Sequence, residues 1–158
     1  MIHLRRRIAM FFLAAALAIS MAVPAFAANE SFSFTVVGDQ TQTFKVYTGA
    51  SNVKTIPGNS ATIMTDQNTT FPPDIANWAL RLYYYSGYNS TSDAFNKNYT
   101  KATNIAWMTG YYTSHPAYLS GQNITNRSYY IGGRLDDGVK DPNAYRASGK
   151  FNADYTTP

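Results

Sequence analysis

The side chains that could do acid–base or nucleophilic chemistry are few in this sequence. His115 is the only histidine after residue 27. A Ser-His-Asp arrangement would need it as the base, and Ser114 lies directly beside it. Adjacent residues of an extended chain point to opposite sides, so Ser114 is not placed to be its nucleophile. No G-x-S-x-G elbow occurs, and Pro116 puts His115 in a loop. A zinc centre needs three or four Cys, His or carboxylate ligands, and the chain has no cysteine. Glycoside hydrolysis needs two carboxylates across a cleft. After residue 27 the acidic side chains are Glu30 and eight aspartates, most of them in turn-like contexts where Asp bonds to its own backbone. The expectation is no catalytic residue, no cofactor and no resident metal. One acidic cluster, Asp136, Asp137 and Asp141 with Asn143, offers oxygen ligands of the kind calcium takes. Its spacing is not that of an EF-hand, the closing Glu is missing, and Lys140 lowers the local field. An ordinary hairpin turn is the competing reading.

Aromatic side chains are the larger resource. All thirteen tyrosines follow residue 27, with both tryptophans and six of the nine phenylalanines. A small core does not easily absorb that many phenol hydroxyls, because each buried one needs a partner. Some tyrosines are therefore expected on an outer surface. There they could contact a sugar or a protein, or merely support strands through cross-strand pairs. Along residues 76–85, Trp78, Leu80, Leu82 and Tyr84 fall on one face of an extended strand. Arg81, Tyr83 and Tyr85 fall on the other. That second row is the candidate binding surface: the rings could stack on a sugar or partner, and Arg81 could pair with an anion such as phosphate. A second buried face is the alternative.

The elements that must hold these residues read as strands. After residue 27 there are only four leucines and one glutamate, against the aromatic and β-branched excess that strands favour. Phe32, Phe34 and Val36 alternate with polar residues, and so do Phe44 and Val46. With Gly38-Asp39-Gln40 between them, residues 31–48 read as a β-hairpin. Further strands are expected over 61–65, 76–85, 105–112, 129–135 and 145–151. Residues 86–101 read as a long exposed loop, with one helical turn near Asp93 capped by Ser92. About seven short antiparallel strands bury one face each most simply in a small β-sandwich. Trp78 and Trp107 are both expected in its core, on facing or neighbouring strands.

The first 27 residues have the three parts of a secretory signal: the cationic run Arg5-Arg6-Arg7, an apolar stretch from Ile8 to Val23, and the ending Ala25-Phe26-Ala27. The apolar stretch is short for a permanent membrane span. No cysteine follows the ending, which excludes lipoprotein anchoring. Residues 28–158 then form the single folded domain. The formal charge of +4 includes the three arginines of the signal, so the exported chain carries ten basic against nine acidic residues. That balance is unsuited to nucleic acid, which demands a surplus of cations on one face. A secreted chain that folds without disulfides fits a Gram-positive bacterium. The five N-x-Ser/Thr sequons follow from a composition rich in Asn, Ser and Thr.

Toward the end of the chain, Ser128-Tyr129-Tyr130-Ile131-Gly132-Gly133-Arg134 is followed by Tyr145-Arg146-Ala147-Ser148-Gly149-Lys150-Phe151-Asn152-Ala153-Asp154. A strand running into a Ser-Gly step, an aromatic residue and a terminal Asp resembles the close of the lactococcin 972-like bacteriocins. Ser31-Phe32-Ser33-Phe34 resembles their start. Phe151 stands where that family has Trp. The resemblance implies a cysteine-free β-sandwich without catalytic residues. It also implies binding at another bacterium's envelope, such as to a cell-wall precursor. The alternative from the residues alone is an exported carbohydrate- or surface-binding module whose partner is a glycan or a surface protein. Mass spectrometry of the secreted protein should find Ala28 as its first residue; retention of residues 1–27 on extracellular protein would contradict the signal assignment.

Overall fold

The computed structural model describes residues 28–37, 43–72, 77–136 and 142–155. The expected signal segment, the Gly38-Asp39-Gln40 turn, and Asp137 and Asp141 lie outside them. The described residues hold ten strands and no helix: β1 (Glu30–Val37), β2 (Lys45–Val46), β3 (Asn52–Val53), β4 (Thr62–Thr65), β5 (Trp78–Tyr85), β6 (Tyr99–Lys101), β7 (Ala106–Met108), β8 (Thr113–Ser114), β9 (Ser128–Leu135) and β10 (Ala144–Asn152). One antiparallel sheet runs β1-β10-β4-β8. The other is centred on the β9–β5 pair, with β2 and β3 along the free side of β9, and β6 and β7 along the free side of β5. The all-β sandwich expected from composition is present, with ten strands where about seven were expected. Among the described residues no helix is long and apolar enough to cross a membrane.

The expected hairpin over residues 31–48 does not form. Its first half, β1, pairs along its whole length with β10, from Glu30↔Phe151 to Val37↔Ala144. Its second half, β2, pairs with β9 in the other sheet. The alternation was read correctly, but alternation says only that one face is buried. It does not say which strand lies alongside. β9 and β10, the strands on either side of the acidic residues, likewise sit in different sheets.

Phe32, Phe34 and Val36 of β1 face the second sheet, while Ser31, Ser33 and Thr35 face water. They meet Ile63, Trp78, Leu80, Leu82, Met108, Ile131, Leu135, Ala147 and Phe151 in one core between the sheets. Trp78 is wholly buried, stands edge-on to Phe34 with ring centroids 6.0 Å apart, and donates its indole N–H to the Thr70 carbonyl at 2.9 Å. Close packing here depends on Gly133. A Cβ at that position would fall 2.6 Å from Leu80 and 2.7 Å from Phe34, inside any real contact.

Trp107 corrects a second expectation. It is on a strand neighbouring that of Trp78, but on the opposite face. Trp78 lies across from Met108, and Trp107 across from Ala79. Ala106 and Met108 therefore fill the core, and Trp107 is 44% exposed. The period of two was right and its phase was not. Between β6 and β7 the buried Thr103 keeps the edge satisfied, because its hydroxyl accepts the Leu82 N–H at 3.0 Å. The two tryptophans should consequently differ in weight. Trp78→Ala should cost about 3–5 kcal/mol in chemical denaturation, and Trp107→Ala no more than about 1 kcal/mol. Equal losses would contradict the assignment of faces.

Candidate functional site

Strand β5 is buried on both sides. Its burial is continuous from Trp78 to Tyr83 and eases only at Tyr84 and Tyr85. The outer face carries a second, smaller core of Phe44, Ala79, Tyr83, Ala94 and Tyr99, with Val46, Ile105 and Tyr130 against it. The segment between β5 and β6, expected as an exposed loop, folds back to cover this face. Phe44 and Ala94 form a β-bridge: the Phe95 N–H donates to the Phe44 carbonyl at 2.8 Å and the Phe44 N–H to the Asp93 carbonyl at 3.1 Å. Ser92 is buried and bonded to the Tyr99 carbonyl; it caps no helix.

This cover changes the standing of the row Arg81, Tyr83 and Tyr85. Tyr83 is fully buried and Arg81 nearly so, while Tyr85 remains 62% exposed. The Tyr83 hydroxyl donates to one Asp93 oxygen at 2.7 Å, and Arg81 Nη1 donates to the other at 2.9 Å. The Arg81 guanidinium lies 5.3 Å from the Phe44 ring centroid, and its Nε finds no protein partner among the described residues. The two residues thus fasten the cover and offer no row to solvent. Gly132 makes room for Tyr83 from the neighbouring strand: a Cβ there would lie 2.6 Å from the phenol ring. Tyr85 stands edge-on to Tyr99 at 5.6 Å, and Tyr99 edge-on to Tyr130 at 5.2 Å.

Exposed aromatic surface gathers elsewhere, along residues 107–112. This stretch carries the chain from β7 in one sheet to β8 in the other. Trp107, Tyr111 and Tyr112 are all exposed. The stretch is anchored at several points. The Tyr112 hydroxyl donates to the Trp107 carbonyl and accepts the Thr109 N–H; the Thr65 hydroxyl donates to the Gly110 carbonyl at 2.7 Å; and the Thr65 N–H donates to the Tyr112 carbonyl at 3.2 Å. Tyr111 rests edge-on against Phe71 with centroids 5.7 Å apart. The Arg134 guanidinium lies 5.9 Å from the Trp107 ring centroid and 5.2 Å from that of Phe44. Rings held by a bonded backbone beside a guanidinium can stack on a flat apolar surface and pair with an acceptor next to it. Residues 111 and 112 carried a signal, a Tyr pair directly after Gly110, but it read as strand preference.

His115 is exposed, with its Nδ1 3.3 Å from the Thr62 hydroxyl and its ring stacked on Tyr155 at 3.8 Å between centroids. Among the described residues no group of three or more His, Cys, Asp or Glu side chains could hold a metal. Of the acidic cluster, Asp136 is half-buried and its N–H donates to the Asn77 carbonyl at 3.0 Å.

Burial shifts several tyrosines. Desolvation, followed by the Asp93 charge, holds Tyr83 far above the ordinary phenol value; desolvation likewise raises Tyr118, Tyr129 and Tyr99. A phenol raised in the folded state adds stability that is whole below its unfolded value, 10.0, and fades above it, because there the unfolded chain has released protons that the folded chain keeps. Lys54, as a free amine, acts oppositely. Burial lowers it from 10.5, so its contribution grows with pH up to that value and is then constant. Above about pH 10.5 the tyrosines alone decide, and denaturant midpoints should fall steeply there. A flat stability profile through that range would contradict their burial.

Compared with known proteins, the chain matches no family model, no curated protein and no solved structure.

Proposed function

We propose that the chain is an exported, non-enzymatic β-sandwich of bacteriocin-like type that acts by binding at a bacterial cell envelope. The observation that carries this reading is the exposed aromatic set on residues 107–112, outside both buried clusters and pinned by backbone hydrogen bonds. Most large apolar side chains left in water are aromatic, and aromatic anchors lose little conformational freedom on contact. The working residues are then Trp107 and Tyr111, with Arg134 beside the indole, and Tyr85 is the one member of the row on β5 still open to solvent.

The second reading is an exported carbohydrate- or surface-binding module. It is favoured by the pairing of a flat exposed indole with a guanidinium, which serves for stacking on a sugar face. Both readings place the contact on the same residues and differ in outcome. Purified protein should inhibit growth of Gram-positive strains under the first; under the second it should bind glycans without inhibition. In either case, joint replacement Trp107→Ala with Tyr111→Ser should abolish the activity and leave the melting temperature nearly unchanged. Full activity in that double variant would place the contact surface elsewhere. Loss of activity in His115→Ala alone would instead favour an enzyme.

A further inference from the structure

Lys54 and Asp154 form the most enclosed charged pair described. Lys54 is completely buried, Asp154 nearly so, and Nζ lies 3.4 Å from Asp154 Oδ1. The pair is a hundred residues apart in sequence. Lys54 is locked from its backbone: its N–H donates to the Arg127 carbonyl at 3.0 Å, and its carbonyl accepts the Asn126 N–H at 2.7 Å. Its ammonium is poorly served. Besides Asp154 it has the Ala153 carbonyl at 3.2 Å and the face of Tyr118 at 4.6 Å. The carboxylate is gripped on its far side. Oδ2 accepts the Thr55 N–H at 2.9 Å and the Thr55 hydroxyl at 2.6 Å, while Oδ1 lies 3.3 Å from the Ile56 N–H. Asn52 fixes the neighbouring strand ends, accepting the Ala153 N–H at 2.7 Å. An amine and a carboxyl group are therefore held in contact, away from water, by a rigid surround.

We propose that Lys54 and Asp154 are the site of an intramolecular isopeptide bond, an amide joining Lys54 Nζ to the Asp154 side-chain carbonyl carbon. Burial disfavours separated charges, and proximity inside a dry site replaces the bimolecular encounter that amide formation otherwise needs. The ammonium passes one proton to Oδ1, which gives an amine and a carboxylic acid. The nitrogen lone pair then forms the N–C bond. Negative charge gathers on Oδ2, where the Thr55 N–H and hydroxyl donate to it. A second proton moves from nitrogen to Oδ1, the C–Oδ1 bond breaks, and one water leaves. Ammonium and carboxylate become amide and water, with no oxidant or other reactant. The product removes two buried charges and closes a covalent loop in a chain that has no cysteine.

Intact mass spectrometry of the purified protein, with tandem analysis of its tryptic digest, tests this. The expected mass is one water below that of the sequence, with a branched peptide joining the Lys54 and Asp154 segments and no tryptic cleavage after Lys54. Lys54→Arg should restore the full mass. Should that variant fail to fold, the branched peptide of the unaltered protein still decides. Full mass with free Lys54 would overturn the proposal. So would a lost water confined to the linear peptide holding Asp154, which marks a succinimide at that residue.

Discussion

The carboxylate of Asp93 takes one hydrogen bond from Arg81 and one from Tyr83, and the outer face of the central sheet depends on it. Strand β5 carries a guanidinium and a phenol on the side away from the main core. Neither can be buried without a partner at acceptable cost. Asp93 supplies a partner to both. In doing so it draws residues 86–98 over the sheet, seats Ala94 against Phe44, and turns a one-sided strand into one covered on both faces.

The distribution of aromatic residues follows from that cover. Phe44, Tyr83 and Tyr99 are enclosed beneath it, and Tyr130 packs against them. Rings left in water include Tyr85 at the end of β5, Tyr88 and Phe95 on the cover itself, and Trp107, Tyr111 and Tyr112 where the chain crosses between sheets. Arg134 lies at the boundary, with Phe44 on one side and Trp107 on the other. A covered sheet and an exposed aromatic crossing are thus two consequences of one arrangement.

Much of this was legible in the sequence, and what was not has a definite cause. Residues that alternate around large apolar side chains, such as Phe32-Ser33-Phe34, announced their strands, because the pleat separates faces at every second residue. The β4, β5, β9 and β10 segments were found within a residue or two for the same reason. Partner choice was not legible. Nothing within residues 31–48 reports that β1 will pair with β10 at the far end of the chain. Side was misjudged for Trp107 against Met108, where both faces are apolar enough to bury; Tyr83 is on the expected side of β5, and what no alternation reports is the segment that covers it. The pairing of Asp93 with Arg81 and Tyr83 joins residues ten and twelve positions apart through a returning loop, and no local pattern encodes it.

The cover over β5 is best tested by hydrogen exchange of the backbone amides of residues 86–98, compared between the native protein and Asp93→Ala. In the native protein the Ser86, Asn89 and Phe95 amides, bonded to Asn98, Lys97 and Phe44 respectively, should be protected. In the variant that protection should collapse across the segment while the amides of β1 and β10 stay slow. Equally fast exchange of residues 86–98 in both proteins would show that no cover exists, and that Arg81 and Tyr83 face solvent after all.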